Sequence, residues 1–246
     1  MISNMDNKKM QQEQKNMLLE IDRICSKYDI NYSLAYGTLL GAVRHNGYIP
    51  WDTDTDIIIS ADDYKILCNK LVKHMDKKYV VHSIDYDDSY EFLMPRIGLS
   101  NVPHKWMHLD IFPMVGVPDN KVMQKLFIVI AYLIKKGYFI KKVNTKINYK
   151  NQPRKKWIAN LAKVVLLPIP TKFFYNSFQK MKTKYPMKHS ETICNICGSY
   201  GRRELLPKSY LEDQIKQEFE GSCFPTPKAW DDYLTQMYGD YMTPRK

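Results

Sequence analysis

Three aspartates stand at alternate positions in IPWDTDTDI, residues 49–57, where the chain enters the apolar run IIIS. Side chains alternate across a β-strand, so Asp52, Asp54 and Asp56 would share one face if this stretch is extended. Like charges on one face repel unless a cation lies between them. Carboxylate oxygens are the ligands that Mg²⁺ prefers, so the spacing indicates a divalent-metal site. The alternative is an acidic loop held by Asx-turns before a buried strand.

Other residues along the chain add the parts that phosphoryl transfer needs. Gly37 and Thr38 lie between a predicted strand and a predicted helix, where backbone N–H groups can approach phosphate oxygens. Arg44 follows on that helix and could hold a phosphate through two parallel hydrogen bonds. Asp110, inside HLDIFP, lies on a later predicted strand as a third metal ligand or as the base for an attacking hydroxyl. We expect Mg²⁺, with Mn²⁺ as a substitute, on Asp54, Asp56 and Asp110.

The elements that must position these residues follow from hydrophobic periodicity. Apolar residues from Met17 to Tyr28 recur at helical spacing and predict an amphipathic first helix. Gly47 is expected to end the short helix over 37–47, and the helix over 225–239 is expected to start at its prolines. Strands mix with helices, so we predict an α/β or α+β fold. The glycine turn, the paired acids and the third acid on a later strand resemble, in this order, the pattern of the nucleotidyltransferase superfamily, which implies a nucleotidyltransferase-like mixed sheet. Further elements are expected as strands over 31–36, 51–60, 78–84, 90–100 and 105–115 and a helix over 61–75.

Composition and charge divide the chain of 246 residues into three parts: a core over 17–115, a basic helical segment over 116–190 and a C-terminal part over 191–246 that completes the site. The N-terminus lacks the apolar stretch of a signal peptide, so we expect a cytoplasmic protein. Five cysteines fit a reduced compartment. Cys194 and Cys197 form a lone CxxC without the further ligands of a zinc site, which predicts two buried thiols.

The basic segment carries the whole excess of positive charge. Between Gly116 and Ser190 there are 17 Lys and Arg residues and one acid, Asp119. The apolar runs at 126–134 and 157–170 are too short to span a bilayer, which takes roughly 20 apolar residues. The segment therefore predicts helices on an anionic membrane surface, and the alternative is a lobe that packs its apolar face on the core and exposes its lysines. A nucleic-acid site is disfavoured, because it would interleave basic and aromatic residues without such runs.

The stretch YGTLLGAVRHNGYIPWDTDTDI closely resembles the signature of the LicD family of phosphotransferases. HLDIFP resembles a second block of that family, and GRRELLP, FEGSCFPTP and YLTQMYGDYM resemble its C-terminal blocks. The resemblance covers roughly residues 17–244 and is loosest in the basic segment. Thr53 and Thr55 depart from the family pattern, which has an acid and an apolar residue there, while Asp54 and Asp56 are retained.

This resemblance implies transfer of phosphocholine, or a similar phospho-alcohol, from a CDP-linked donor to a sugar hydroxyl. The acceptor is expected on a surface glycan or its lipid-linked precursor: a teichoic acid, a lipopolysaccharide or a capsule. A lipid-linked acceptor would explain a basic segment that associates peripherally with the inner face of the cell membrane. Glu204, in GRRELLP, is expected near the phosphates or the choline, or else is a solvated loop acid.

Three aromatic residues, Tyr36, Trp51 and Trp106, could surround a quaternary ammonium, although aromatics more often pack in a core. Trp51 is the preferred donor contact, because it directly precedes the acids. Asp52 is either a further ligand or a cap of the turn after Pro50. His108 would share a face with Asp110, or is an ordinary strand histidine.

Two other functions remain compatible with the residues alone. A nucleotidyltransferase that adds a nucleoside monophosphate to a small molecule or RNA would use the same metal site, and only the family resemblance favours the release of CMP. A nucleic-acid-binding protein would grip phosphates with the basic segment.

Overall fold

The computed structural model describes residues 7–103 and 107–243. Its centre is a mixed sheet whose strands follow the order β1-β2-β5-β4-β3, with β6 paired to β5 and β7 paired to β6. A separate hairpin is formed by β8 and β9. The strands are β1 (Tyr32–Leu34), β2 (Thr55–Ser60), β3 (Tyr79–His82), β4 (Arg96–Leu99), β5 (Leu109–Gly116), β6 (Thr192–Asn195), β7 (Leu205–Pro207), β8 (Gln214–Phe219) and β9 (Ser222–Pro227).

Helices surround this sheet, and the expected mixed α/β, or α+β, class is confirmed. The first helix follows the predicted periodicity: Met17, Leu18, Ile21 and Ile24 are fully buried in the core. Removing such side chains from water is the main stabilising contribution to the fold. The helices are α1 (Asn7–Tyr28), α2 (Tyr36–His45), α3 (Ala61–His74), α4 (Lys121–Lys142), α5 (Thr145–Asn148), α6 (Pro153–Val165), α7 (Thr171–Lys184), α8 (Ser209–Glu212) and α9 (Trp230–Tyr238).

Strand β5 organises the sheet. It runs parallel to β2 on one side, with Asp56 opposite Asp110. On its other side it pairs antiparallel with β4 near its start, with Arg96 opposite Asp110, and with β6 near its end. Residues directly opposite each other on neighbouring strands share a face and interact. The pairing therefore brings three charged side chains from distant parts of the chain into one row.

The basic segment packs part of its apolar surface on the rest of the molecule. Phe127 and Tyr138 of α4 and Phe174 and Phe178 of α7 belong to a second buried cluster. Gly137 lets the two helices approach closely, since a Cβ at this position would overlap the ring of Phe174.

The outer sides of these helices remain open. Several large apolar residues of the segment are exposed: Leu126, Val129, Ile130 and Leu133 on α4, and Trp157, Ile158, Leu161, Val164, Val165 and Leu167 in or just after α6. The packed side of the segment agrees with the alternative of a lobe on the core, and the membrane interpretation stays a prediction. Within residues 7–103 and 107–243, none of the helices combines the length and the apolar content needed to cross a membrane.

Two predicted strands are much shorter than expected. The strand predicted over 51–60 begins only at Thr55, because its partner β5 begins opposite that residue at Leu109. Ahead of Thr55, the Asp52 carboxylate accepts a hydrogen bond from the Asp54 N–H, at 3.2 Å between Oδ1 and N. Such local side-chain bonds compete with a strand ladder. The strand predicted over 90–100 is likewise limited to β4.

Two helix boundaries also differ from the sequence prediction. Helix α2 ends at His45 and Asn46 takes the left-handed conformation, with φ of 52°, in place of the expected glycine. Asparagine tolerates this conformation well, and the N–H of Gly47 then bonds to the carbonyl of Gly41. The C-terminal helix begins at Trp230 and not at the prolines, which lie in strand β9.

Candidate active site

A row of three charged residues crosses the centre of the sheet. Asp56 on β2, Asp110 on β5 and Arg96 on β4 occupy paired positions. Arg96 holds Asp110 with two hydrogen bonds, 2.6 Å from Nε to Oδ1 and 3.3 Å from Nη2 to Oδ2. Burial raises the pKa of Asp110, and the guanidinium opposes that rise. Burial also raises the pKa of Asp56 well above its usual range, and the carboxylates of Asp110 and Asp54 raise it further.

Asp52 and Asp54 reach the same place from the loop before β2. Both line a cavity of about 530 Å³ together with Asp56 and Asp110. Asp54 is the most accessible, with 63% of its side chain exposed. Asp52 also caps the turn, since its carboxylate accepts from the Asp54 N–H. The structure therefore brings all four aspartates to one cavity, although only Asp56 and Asp110 lie on strands.

Gly37 and Thr38, at the start of α2, contact different aspartates. Gly37 lines the cavity, and a Cβ here would lie 2.7 Å from Asp52 Oδ2. Thr38 is buried, and its hydroxyl accepts a hydrogen bond from the Asp56 N–H at 2.8 Å. The glycine leaves room beside the acids, whereas the threonine fixes the backbone that carries Asp56.

A second wall of the cavity comes from residues 195–204. Glu204 is buried, and its Oε2 accepts a hydrogen bond from the Tyr36 hydroxyl at 2.7 Å. Its Oε1 accepts from the Tyr200 N–H at 3.1 Å, and the Asn195 side-chain amide donates to the Tyr36 oxygen at 2.7 Å. Burial raises the pKa of Glu204, and the Tyr36 hydrogen bond opposes that rise. Glu204 is thus a buried, hydrogen-bonded acid and not a solvated loop residue.

Tyr36 links this wall to the start of α2. Its backbone adopts φ of 49°, in the left-handed region that bulky residues rarely occupy. The ring is stacked on Tyr200 at 5.9 Å between centroids and contacts Phe112 edge-on at 5.3 Å. Backbone strain of this kind persists where the surrounding contacts fix the residue, and it concentrates at functional sites.

Two predicted donor contacts lie elsewhere. Arg44 donates from Nη1 to the Tyr241 carbonyl at 2.8 Å and is absent from the described cavity lining, because it braces the C-terminal stretch. Trp51 is 63% exposed and is also absent from that lining. Trp106 lies outside the described residues. Of the expected cage, Tyr36 is among the described lining residues of the cavity, and so are Tyr200 and Tyr238.

His108 lies beside the aspartate row, as its spacing from Asp110 predicted. Its Nε2 is 3.7 Å from Asp110 Oδ1 and 4.0 Å from Asp54 Oδ1. Gln14 of α1 donates to the His108 carbonyl at 3.1 Å and also to the Thr53 carbonyl. The first helix therefore fixes the loop that carries Asp54 against the start of β5.

A cation would fit the chemistry of these donors. Among the described residues, no three His, Cys, Asp or Glu side chains converge closely enough to form a metal cluster by themselves. Mg²⁺ is commonly held by one or two carboxylates together with substrate phosphates and waters. Asp54 and Asp56 supply two such carboxylates in one cavity, whereas Asp110 already receives two donors from Arg96.

Three contributors to the site were missed by the sequence reasoning. Arg96 pairs with Asp110, Asn195 holds the Tyr36 hydroxyl, and Tyr200 lines the cavity. An arginine inside a predicted apolar strand was the available signal for the first, because arginine is seldom buried unless it is paired. Asn195 and Tyr200 carried no comparable signal.

A known protein family matches the part of the chain that carries the aspartates. The family described as "LicD/FKTN/FKRP, nucleotidyltransferase domain" matches residues 29–173, which contain all four aspartates. The chain belongs to the LicD family. It is 30% identical over 244 residues to the lipopolysaccharide cholinephosphotransferase LicD of Haemophilus influenzae, covering 92% of this chain and 88% of that protein. LicD membership supports a transferase.

A shorter similarity extends to an uncharacterised protein of Rickettsia prowazekii. The two are 32% identical over 104 residues, which is 42% of this chain and 38% of that protein.

One departure from the LicD signature has a structural explanation. Thr55, where the family has an apolar residue, is fully buried. Its hydroxyl lies 2.7 Å from the Tyr48 hydroxyl and donates to Gln14 Oε1 at 3.3 Å. A buried hydroxyl with hydrogen-bond partners is tolerated in a core. The structure gives no reason for the threonine at position 53.

The two cysteines of the CxxC motif lie in the protein interior. Cys194 and Cys197 are buried free thiols, as predicted. Burial raises the pKa of Cys197 to about 12, so the reactive thiolate is disfavoured.

Proposed function

We propose that this protein transfers phosphocholine, or a similar phospho-alcohol, from a CDP-linked donor to a sugar hydroxyl, with Mg²⁺ as the cofactor. The observation that carries the proposal is a single cavity whose lining includes four aspartates and, from another part of the chain, the acid Glu204 with Tyr200. The aspartates suit a diphosphate with its cation, and Glu204 with Tyr200 suits a quaternary ammonium. The Haemophilus influenzae relative is named a cholinephosphotransferase, which agrees with a choline-containing donor.

The aspartate wall would hold the metal and the donor phosphates. Asp54 and Asp56 are the proposed ligands, with Asp52 beside them. When bound, Mg²⁺ would neutralise phosphate charge at this wall. Thr38 fixes the backbone of Asp56, and Gly37 leaves the space beside Asp52 open. Mn²⁺ would substitute for Mg²⁺ with the same oxygen donors.

Asp110 is proposed as the residue that accepts the proton of the attacking hydroxyl. Arg96 occupies one side of its carboxylate, and a carboxylate offers about four acceptor positions, so a further hydrogen bond remains possible. The acceptor oxygen forms a bond to the phosphorus of the phosphocholine group while the bond from phosphorus to the bridging oxygen of CMP breaks. CMP leaves with that oxygen and its electron pair, and the hydroxyl proton moves to Asp110.

The wall formed by residues 195–204 would receive the choline. Glu204 supplies a buried acid, and its two hydrogen bonds from Tyr36 and Tyr200 favour the carboxylate form. Tyr200 and Tyr238 add aromatic rings that pack edge to face at 5.7 Å. An ammonium cation is attracted both to an acid and to aromatic faces.

The acceptor is proposed to be a glycan or its lipid-linked precursor, and the basic segment is proposed to lie on the anionic inner face of the cell membrane. Support comes from the exposed apolar side chains of α4 and α6 together with the lysines around them. Each basic residue near such a surface contributes about 1 kcal/mol, and the apolar side chains add burial at the lipid boundary.

A double-label experiment separates this proposal from nucleotidyl transfer. CDP-choline labelled with ¹⁴C in choline and ³H in cytidine would be incubated with the protein, Mg²⁺ and a lipopolysaccharide or teichoic acid preparation. Phosphocholine transfer places ¹⁴C on the glycan and ³H in CMP. Nucleotidyl transfer places ³H on the acceptor and ¹⁴C in free phosphocholine, and that result would contradict the proposal.

The metal assignment has its own variant and control. Asp54→Asn keeps the side-chain shape but removes a charged oxygen ligand, so transfer should fall by at least about a hundredfold at saturating Mg²⁺. Asp62→Asn makes the same chemical change at an exposed position of α3 and should leave transfer unchanged. Equal activity in the two variants would remove Asp54 from the metal site.

A further inference from the structure

A second cavity of about 490 Å³ lies beside the catalytic cavity, between α4 and residues 91–94. We call it the α4 pocket. Met94, Cys197 and Ser199 line both cavities, so the two share a wall. Cavities of a few hundred cubic ångströms with apolar walls and a few polar groups are the usual form of a small-molecule site. A ligand in the α4 pocket would therefore lie next to the donor.

Two lysines give the α4 pocket a positive side. Lys135 and Lys136 line it, together with a single acid, Glu91, among its described lining residues. Lys135 Nζ donates to the Cys197 carbonyl at 3.0 Å and to the Gly198 carbonyl. An ammonium carries three N–H donors, and these two carbonyls take two of them, which leaves one for a ligand oxygen.

The aromatic rings of the α4 pocket already face protein cations. The Arg96 guanidinium lies 4.0 Å from the ring centroid of Phe92, and Lys136 Nζ lies 5.5 Å from that of Tyr132. A quaternary ammonium would compete for these faces and be repelled by the same cations. The pocket therefore disfavours choline and favours a neutral or anionic ligand.

We propose that the α4 pocket binds a phosphorylated sugar of the acceptor, with the phosphate towards Lys135 and Lys136 and the sugar ring against the aromatic walls. The inference rests on the proposed function, because it places one sugar of the acceptor next to the donor cavity, while another part of the acceptor carries the attacking hydroxyl. It also adds a substrate class, since a neutral glycan would gain nothing from the lysines.

Ligand-observed NMR titration of the full chain tests this, with glucose 1-phosphate as the probe and methyl glucoside as the neutral comparison. Glucose 1-phosphate should bind, and saturating CMP should change its affinity by less than about twofold. Methyl glucoside should bind at least about tenfold more weakly than glucose 1-phosphate. Lys136→Glu should weaken glucose 1-phosphate binding at least about tenfold, because it reverses a charge in the pocket.

The matched control is Lys125→Glu, the same change at an exposed position of α4 outside the described lining. It should leave binding unchanged. The proposal is overturned if glucose 1-phosphate does not bind, if CMP displaces it, if methyl glucoside binds equally well, or if the two variants behave alike. Cleavage of CDP-choline is measured separately, so failure of the pocket and failure of the proposed function give different results.

Discussion

Removal of Arg96 should destabilise the protein, because it leaves the buried carboxylate of Asp110 without its ion-pair partner. The side chains of Arg96 and Asp110 are only 9% and 11% exposed, and two hydrogen bonds join them. Breaking a buried ion pair by removing one partner costs about 3–5 kcal/mol, because the other charge stays buried without compensation. For a chain of this size that corresponds to a decrease in Tm of about 6–20 °C. We therefore expect Arg96→Met to lower the free energy of unfolding by about 3–5 kcal/mol.

Urea unfolding monitored by circular dichroism, performed on a double-mutant cycle, measures this cost. Arg96→Met, Asp110→Asn and the double variant should be non-additive, with the double variant recovering at least about 1 kcal/mol relative to the sum of the single changes. Arg96→Lys keeps the charge but loses the bidentate hydrogen bonding. Its free energy of unfolding should lie between those of wild type and Arg96→Met. An Arg96→Met variant within about 0.5 kcal/mol of wild type, or full additivity, would refute the reasoning.

Three further outcomes are expected. Gly37→Ala should weaken CDP-choline binding about tenfold in calorimetry, because its Cβ would displace the carboxylate of Asp52; unchanged affinity would contradict this. Iodoacetamide at pH 8 should modify Cys223 first under native conditions, since the other four thiols are buried, and peptide mass spectrometry identifies the site. Serine at Val129 and Leu133 should reduce sedimentation with anionic vesicles although every charge remains, whereas displacement of the wild type from vesicles by RNA would favour the nucleic-acid alternative.

Local sequence pattern predicted the parts of this fold that depend on local physics. The spacing of apolar residues in α1 marks the buried face of that helix, because burial of one face needs the helical period. The alternation of Asp52, Asp54 and Asp56 predicted that the three carboxylates lie together, and they do line one cavity, but the predicted reason was only partly right. Asp56 is on a strand, whereas Asp52 caps a turn, and the sequence allows both conformations.

The parts that could not be predicted depend on long-range pairing. Arg96 pairs with Asp110 because β4 lies next to β5 in the sheet. No local sequence pattern specifies that strand order. Arg44 was expected at a phosphate from its place on α2, but its side chain donates to the carbonyl of Tyr241, which follows α9. The metal site and the donor contacts remain predictions.

The hydrogen bond between Tyr36 and Glu204 joins residues 168 positions apart and therefore has a consequence for synthesis on the ribosome. At about 5–20 residues per second, roughly 10–30 s separate the translation of the two residues. In the later part of that interval, after β5 is made and before β6 is made, every aspartate is present, but β5 lacks its pairing with β6 and presents part of an open strand edge. Chains that stop between residues 117 and 191, after a premature stop codon or proteolysis, should therefore keep the aspartates, lack the cavity wall formed by residues 195–204, and be prone to aggregate.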